Sequence, residues 1–169
     1  KSFHQTTEQE WLDIQRRNPA PWADFESDKY MMQVPTSWIY NYKGATTLMK
    51  DWDLRMDEVS RLLGYPLERN HAILYLQIDI DIMYGVYGIG NPQINNAYSP
   101  YDVENGNKNH WFLKPGVDFW ETEFHEMGHA QLFSKFPGEE EAAVNLPAAA
   151  IYNRLYKMDI DSALGNSFN

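Results

Sequence analysis

The sequence predicts a mixed α+β domain, and three segments carry that expectation. Leu48, Trp52, Met56, Val59 and Leu63 recur every three or four residues, the spacing of one helix face, and Gly64-Tyr65-Pro66 ends the run. From Ile73 to Ile82 the period falls to two. Leu74, Leu76, Ile78, Ile80 and Ile82 face one way and Gln77, Asp79 and Asp81 the other, as in a strand with one wet face. A second helical run, with apolar positions Phe119, Trp120, Phe124, Met127, Leu132 and Phe133, contains His125-Glu126-Met127-Gly128-His129.

The remaining elements follow from local signals. Thr7 and Glu10 have capping-box spacing and open a short helix that carries Trp11 and Ile14 and ends before Asn18-Pro19. Tyr30 to Val34 reads as a strand stopped by Pro35. Asp79 and Asp81 do not make a calcium loop, because a period-two backbone followed by Met83 is the wrong frame for one. Tyr84 to Asn109, rich in Gly, Asn, Pro and Tyr, reads as an edge strand and then a long loop. Asp118 and Glu121 stand as N-cap and third-position partner after Pro115-Gly116, so the next helix is expected to start at Phe119 and to stop at Pro137-Gly138. Pro147 lacks a backbone donor. There a helix either kinks or begins anew and runs through Ala148, Ile151 and Leu155.

His125 and His129 are the chemically informative pair. Residues four apart lie one above the other on a helix, so both imidazoles reach one metal ion while Glu126 projects beside them toward a bound water. The plain alternative is a solvated helix that carries two histidines. A hydrolytic zinc site takes three protein ligands and leaves one position open. Glu139, Glu140 and Glu141 lie ten to twelve residues beyond His129, across a Pro-Gly turn that lets a second helix fold back. Glu141 is the candidate ligand, because Asn145 follows four residues later on the same face and can hydrogen-bond a ligand imidazole. Glu139 and Glu140 then read as first-turn acids favoured by the helix dipole, a reading that also fits the whole trio. Gly128 is costly inside a helix, by about 1 kcal/mol against alanine. Either its missing side chain lets another element or the substrate approach the metal, or it serves helix packing.

Between strand and metal helix, Tyr87, Tyr98, His110 and Trp111 are candidate substrate contacts, the aromatic rings as flat faces for sugars and the neighbouring asparagines as partners for hydroxyls. The ordinary reading of the same residues is an irregular surface loop, and His110 beside Trp111 is either a donor to a developing oxyanion or a structural residue.

Composition sets limits. With 169 residues, 43% of them hydrophobic and 15% aromatic, the chain can bury one core, and it reads as one domain and as a fragment of a longer multidomain protein. A net charge of −10 without clustered Lys and Arg argues against nucleic-acid binding. No apolar run reaches the roughly 18 to 20 residues that span a bilayer. Zero cysteine excludes disulfides and thiolate zinc ligation without settling the compartment.

His-Glu-Met-Gly-His followed by Glu141 and then Ala-Ala-Val-Asn-Leu resembles the enhancin-like gluzincin peptidases, the family of viral enhancins and bacterial mucin-directed proteases. Upstream, Pro19-Ala20-Pro21-Trp22-Ala23-Asp24, Met32-Gln33-Val34-Pro35, Glu68-Arg69-Asn70 and the stretch from Gln77 to Gly90 are similar to further blocks of that family, in order along most of the chain. The resemblance implies a zincin-like fold: a twisted sheet with an edge strand, an active-site helix, and a following helix carrying the third ligand. It implies a zinc endopeptidase of O-glycosylated, mucin-like proteins at the cell surface or outside the cell. On that reading one Zn²⁺ is held by His125, His129 and Glu141, Asn145 supports a ligand imidazole, and Glu126 is the general base. The alternative is a non-catalytic glycan-binding or protein-interaction module of the same family, as its relatives associated with ion channels suggest. A zinc hydrolase of a non-peptide bond is a third reading of the motif.

Overall fold

The longest helix, α3 (Ala45–Leu63), shows how the chain builds its core. Leu48, Met49, Trp52, Met56, Val59 and Leu63 are buried along one face, as the spacing predicts, and Gly64 ends the helix in the left-handed conformation, its N–H donating to the Ser60 carbonyl. Two charged residues of this helix are also buried, Glu58 and the fully buried Arg55. The computed structural model describes residues 5–67, 74–79, 87–88, 93–96, 113–119, 121–132, 138 and 140–168, and only the backbone at 74, 79, 87–88, 93–96 and 130–132.

Five strands form one sheet. Strands β1 (Trp22–Glu26), β2 (Tyr30–Pro35), β3 (Leu74–Asp79), β4 (Tyr87–Gly88) and β5 (Gln93–Asn96) lie in the order β1-β2-β3-β5-β4. The pairs β1/β2 and β4/β5 are antiparallel, while β2/β3 and β3/β5 are parallel. Parallel pairing of β2 with β3 requires a crossover, and α3, preceded by the short α2 (Thr36–Ile39), supplies it. Tyr30, Met32 and Val34 of β2 and Leu76 and Ile78 of β3 point into the core, whereas Tyr75 and Gln77 are half-buried, which is the alternation expected of a sheet with one covered face. The architecture is α+β. Among the described strands β1 and β4 are the edges, and β4 is antiparallel to its neighbour.

Helix α1 (Glu8–Asp13) opens with the capping box read from Thr7 and Glu10. Trp11 packs edge-on against Phe25. Ile14, expected on the same apolar face, is instead exposed, because the helix ends at Asp13 and Ile14 leaves helical geometry at φ −123°.

The metal-motif helix, described as α4 (Glu121–Leu132), begins later than the sequence suggests, since Phe119 lies outside it. Phe119 is the reason. Its ring is buried, stacked on Tyr152 at 4.4 Å and edge-on to Phe124 at 4.9 Å, and its carbonyl accepts from the Tyr152 hydroxyl at 3.4 Å. The pull of the core thus outweighs the capping pattern at Asp118. The aromatic packing continues through Phe124 to Trp52 at 5.5 Å and from Trp52 to Tyr30 at 4.0 Å, so loop, metal helix, α3 and sheet share one column of rings.

Arg55 sits against that column, over the rings of Trp52 and Phe119. It pairs with Asp51 at 2.7 Å, donates through Nε to the Tyr156 hydroxyl, and donates through Nη2 to the carbonyls of Lys114 and Gly116. Asp51 in turn accepts from the Gly116 N–H and from the Tyr156 hydroxyl. The ion pair therefore grips Gly116 by both its backbone groups. Gly116 has φ +79°, a turn that favours glycine.

After α4 the chain folds back in short pieces. Helix α5 (Glu140–Ala143) is a single turn, and α6 (Leu146–Ala150) begins anew with Pro147 in its first turn, where a missing N–H is harmless. That helix widens into a π-turn at Ile151–Leu155, and after Lys157 reverses the chain at φ 62°, α7 (Ile160–Ser167) starts from Asp159, whose side chain accepts from the Ser162 N–H. A Cβ on Gly128 would stand 2.9 Å from both Val144 Cβ and the Val144 carbonyl oxygen. The missing side chain is thus what lets the returning segment touch α4.

Gly128→Ala should lower the unfolding free energy by about 1 to 2 kcal/mol, since overpacking against backbone outweighs alanine's helical advantage of about 1 kcal/mol. An unchanged urea midpoint would show that the Val144 contact yields freely. Glu123, fully buried on α4, has its carboxyl pushed up to about 8 by burial, with Arg55 pulling it down and Glu121 pushing it up. Because the unfolded carboxyl ionises near 4.5 and the folded one near 8, this group's stabilisation is complete below pH 4.5 and is lost as the pH rises to about 8. Glu123→Gln should flatten that slope and raise the melting temperature at pH 8. Parallel pH profiles for the two proteins would mean that the folded carboxyl is ionised.

Candidate metal centre and active site

Helical spacing brings His125 and His129 together on α4 with their Nε2 atoms 3.1 Å apart and their rings at 80°. Glu141, on the one-turn helix α5, points an oxygen at both, 3.3 Å from His125 Nε2 and 3.6 Å from His129 Nε2. The three side chains differ in setting. His129 is 5% exposed, His125 24%, and Glu141 82%, so the site is anchored at the back and open at the carboxylate.

Asn145 settles the tautomer of His125. Its amide Nδ2 donates to the Glu141 carbonyl at 3.3 Å, which turns Oδ1 toward His125 Nδ1 at 2.7 Å. An amide oxygen can only accept, so the imidazole proton is on Nδ1 and the lone pair is on Nε2. That lone pair then faces a carboxylate oxygen. Two acceptors in contact repel unless a cation or a proton lies between them, so the donor set fits a bound cation. The spacings of 3.1, 3.3 and 3.6 Å are close to those of a tetrahedral zinc site, where bonds of about 2.0 to 2.2 Å place ligand atoms about 3.3 to 3.6 Å apart.

Glu126 stands beside the cluster, half-buried. Burial pushes its carboxyl above the ordinary range, His125 and His129 pull it down, and Glu141 pushes it up. A cleft of about 270 Å³ opens there, lined on the α4 side by Glu121, Thr122, His125 and Glu126 and on the other by Asn145 and the end of α7. Helix α4 also lies against the edge strand β4.

The geometry thus brings together His125, His129, Glu141, Glu126 and Asn145, all picked out by spacing. Glu140, an alternative, accepts from the Gly138 N–H at 2.9 Å instead. Glu139, Tyr98, His110 and Trp111 lie outside the described residues, as does the side chain of Tyr87. Sequence reasoning missed Glu121, Ser167 and Phe168 in the cleft and Arg55, Asp51 and Tyr156 behind it. Of these only Arg55 left a signal, a charge spaced among the apolar positions of its helix.

Among the described residues no helix is long and apolar enough to cross a membrane. No solved structure matches the chain. Curated relatives do: TRPM8 channel-associated factor 2 of Bos taurus is 26% identical over 149 residues, 84% of this chain and 15% of that protein. The TRPM8 channel-associated factor homolog of Danio rerio is 26% identical over 157 residues, 90% of this chain and 16% of that protein. TRPM8 channel-associated factor 1 of Homo sapiens is 31% identical over 88 residues, 50% of this chain and 10% of that protein. The chain therefore spans about a sixth of the length of the Bos taurus factor 2 and of the Danio rerio homolog. The family model for Peptidase M60, enhancin and enhancin-like, matches residues 4–168, almost the entire chain, and the chain belongs to that family.

Proposed function

We propose that this chain is the zincin-like catalytic domain of a zinc-dependent endopeptidase, acting on O-glycosylated, mucin-like proteins. The observation that carries the reading is the convergence of three acceptor atoms, from His125, His129 and Glu141, with Glu126 beside them in an open cleft. Family membership supports peptidase chemistry, and the antiparallel edge strand β4 against α4 supports a zincin-like layout in which an extended substrate pairs with the sheet edge. The glycoprotein substrate comes from the resemblance to mucin-directed proteases.

His125, His129 and Glu141 hold the metal. When bound, zinc supplies Lewis acidity toward water and toward a carbonyl oxygen. Asn145 keeps the His125 Nε2 lone pair available by holding the proton on Nδ1. Glu126 takes the proton from a water attacking the scissile carbonyl and delivers it to the leaving amine, and its partial burial favours the protonated form it passes through.

A second reading rests on the relatives. Proteins named for association with a channel suggest a family member kept as an interaction module, with a site that binds and does not cut. Metal stoichiometry and turnover separate the two readings.

Purified protein should contain one zinc per chain, and Glu126→Gln should retain that metal while losing cleavage of O-glycosylated peptides by a factor on the order of 10² to 10⁴. Parental turnover in that variant would remove Glu126 from the chemistry, and zinc-free protein with intact glycan binding would favour the interaction module. Asn145→Ala should weaken zinc roughly 10- to 100-fold in a chelator competition, because the His125 ring loses its anchor. An unchanged competition curve would show that Asn145 plays no part in ligation.

A further inference from the structure

The cleft beside the metal centre has a chemistry of its own. Glu121 stands one helical turn before His125 and two before His129, so its carboxylate extends the same line of side chains along α4 beyond the metal site. It makes no hydrogen bond or ion pair among the described residues, although it lines the cleft together with Thr122 and Glu126. Opposite, α7 ends in the wall. Ser167 has its hydroxyl committed to the Ala163 carbonyl at 2.8 Å, while the Phe168 ring is 44% exposed and presents an apolar surface.

Size and charge narrow the occupant. At about 270 Å³ the cleft falls just below the roughly 300 Å³ at which small-molecule pockets begin, which suits one residue and not an extended segment. Its lining carries two carboxylates and neither Lys nor Arg. A long side chain with an aliphatic stem and a cationic head satisfies both walls: the stem lies on Phe168 and the head reaches Glu121. Glu126, nearer the metal, is reserved for the proton.

We infer that Glu121 is a specificity-determining residue that selects a Lys or Arg side chain on the substrate residue next to the scissile bond. The inference rests on the peptidase reading of the same site, so its test reads binding rather than turnover. In the full-length protein that contains this chain, zinc-loaded and carrying Glu126→Gln, affinities would be measured calorimetrically for peptides that differ at one position flanking the expected bond. The variable residue is Lys, Arg, Met, Glu or an O-glycosylated Thr, placed on either side of the bond. Lys and Arg peptides should bind on the order of tenfold tighter than the Met peptide. Adding Glu121→Gln should erase that difference, and Glu121→Lys should transfer the preference to the Glu peptide. Equal affinity for Lys and Met peptides, or a Lys preference that survives Glu121→Gln, would overturn the inference. So would a preference for the glycosylated peptide that Glu121→Gln abolishes, which assigns the pocket to a sugar. Basic selectivity without cleavage by the Glu126 protein would sink the peptidase reading alone, and cleavage indifferent to a flanking charge would sink this inference alone.

Discussion

Arg55 carries a full charge into the core, and the arrangement of everything around the metal site follows from how that charge is compensated. A guanidinium without water needs its donors filled and an anion nearby, or the desolvation penalty amounts to several kcal/mol. Asp51 supplies the anion one turn earlier on α3, and the rings of Trp52 and Phe119 supply polarisable faces. Nε donates to Tyr156 beyond the π-turn and Nη2 to the loop before α4, while Nη1 is buried without a hydrogen-bond partner among the described residues. Those partners lie on either side of the metal-bearing segments in the chain. The helix that presents two imidazoles and the segment that returns the carboxylate are thereby referenced to the same rigid element.

Close approach does the rest. With Gly128 against Val144, the returning chain comes near enough that a single-turn helix suffices to place Glu141 over the imidazoles. Asn145 then touches both partners, the Glu141 carbonyl and the His125 ring. Three potential ligand atoms are thereby held within reach of one cation or of a shared proton. Exposure rises from buried His129 to open Glu141, so the cluster opens to solvent on the carboxylate side.

Much of the site was legible because it is local. The i and i+4 relation of His125 and His129, and again of Glu141 and Asn145, needs only helical periodicity. The same kind of reasoning failed where a local pattern competed with packing. Asp118 and Glu121 have capping spacing, yet burial of Phe119 against Tyr152 delays the helix. Ile14 falls on an apolar face by count, but the helix has ended before reaching it. In both cases a few tenths to about 1 kcal/mol of local preference meets an aromatic or topological demand that is larger.

The sequence by itself determined the α+β class and the pairings of His125 with His129 and of Glu141 with Asn145, since each rests on spacing within one or two helical turns. Only the tertiary structure decided that Gly128 serves the approach of Val144, that Asp51, Arg55 and Tyr156 form one clamp across 105 residues, and that Glu121 and Phe168 line one cleft. Contacts between segments distant in sequence leave no periodicity behind them. They arise from the joint burial of surfaces, and no stretch of the chain read alone contains that information.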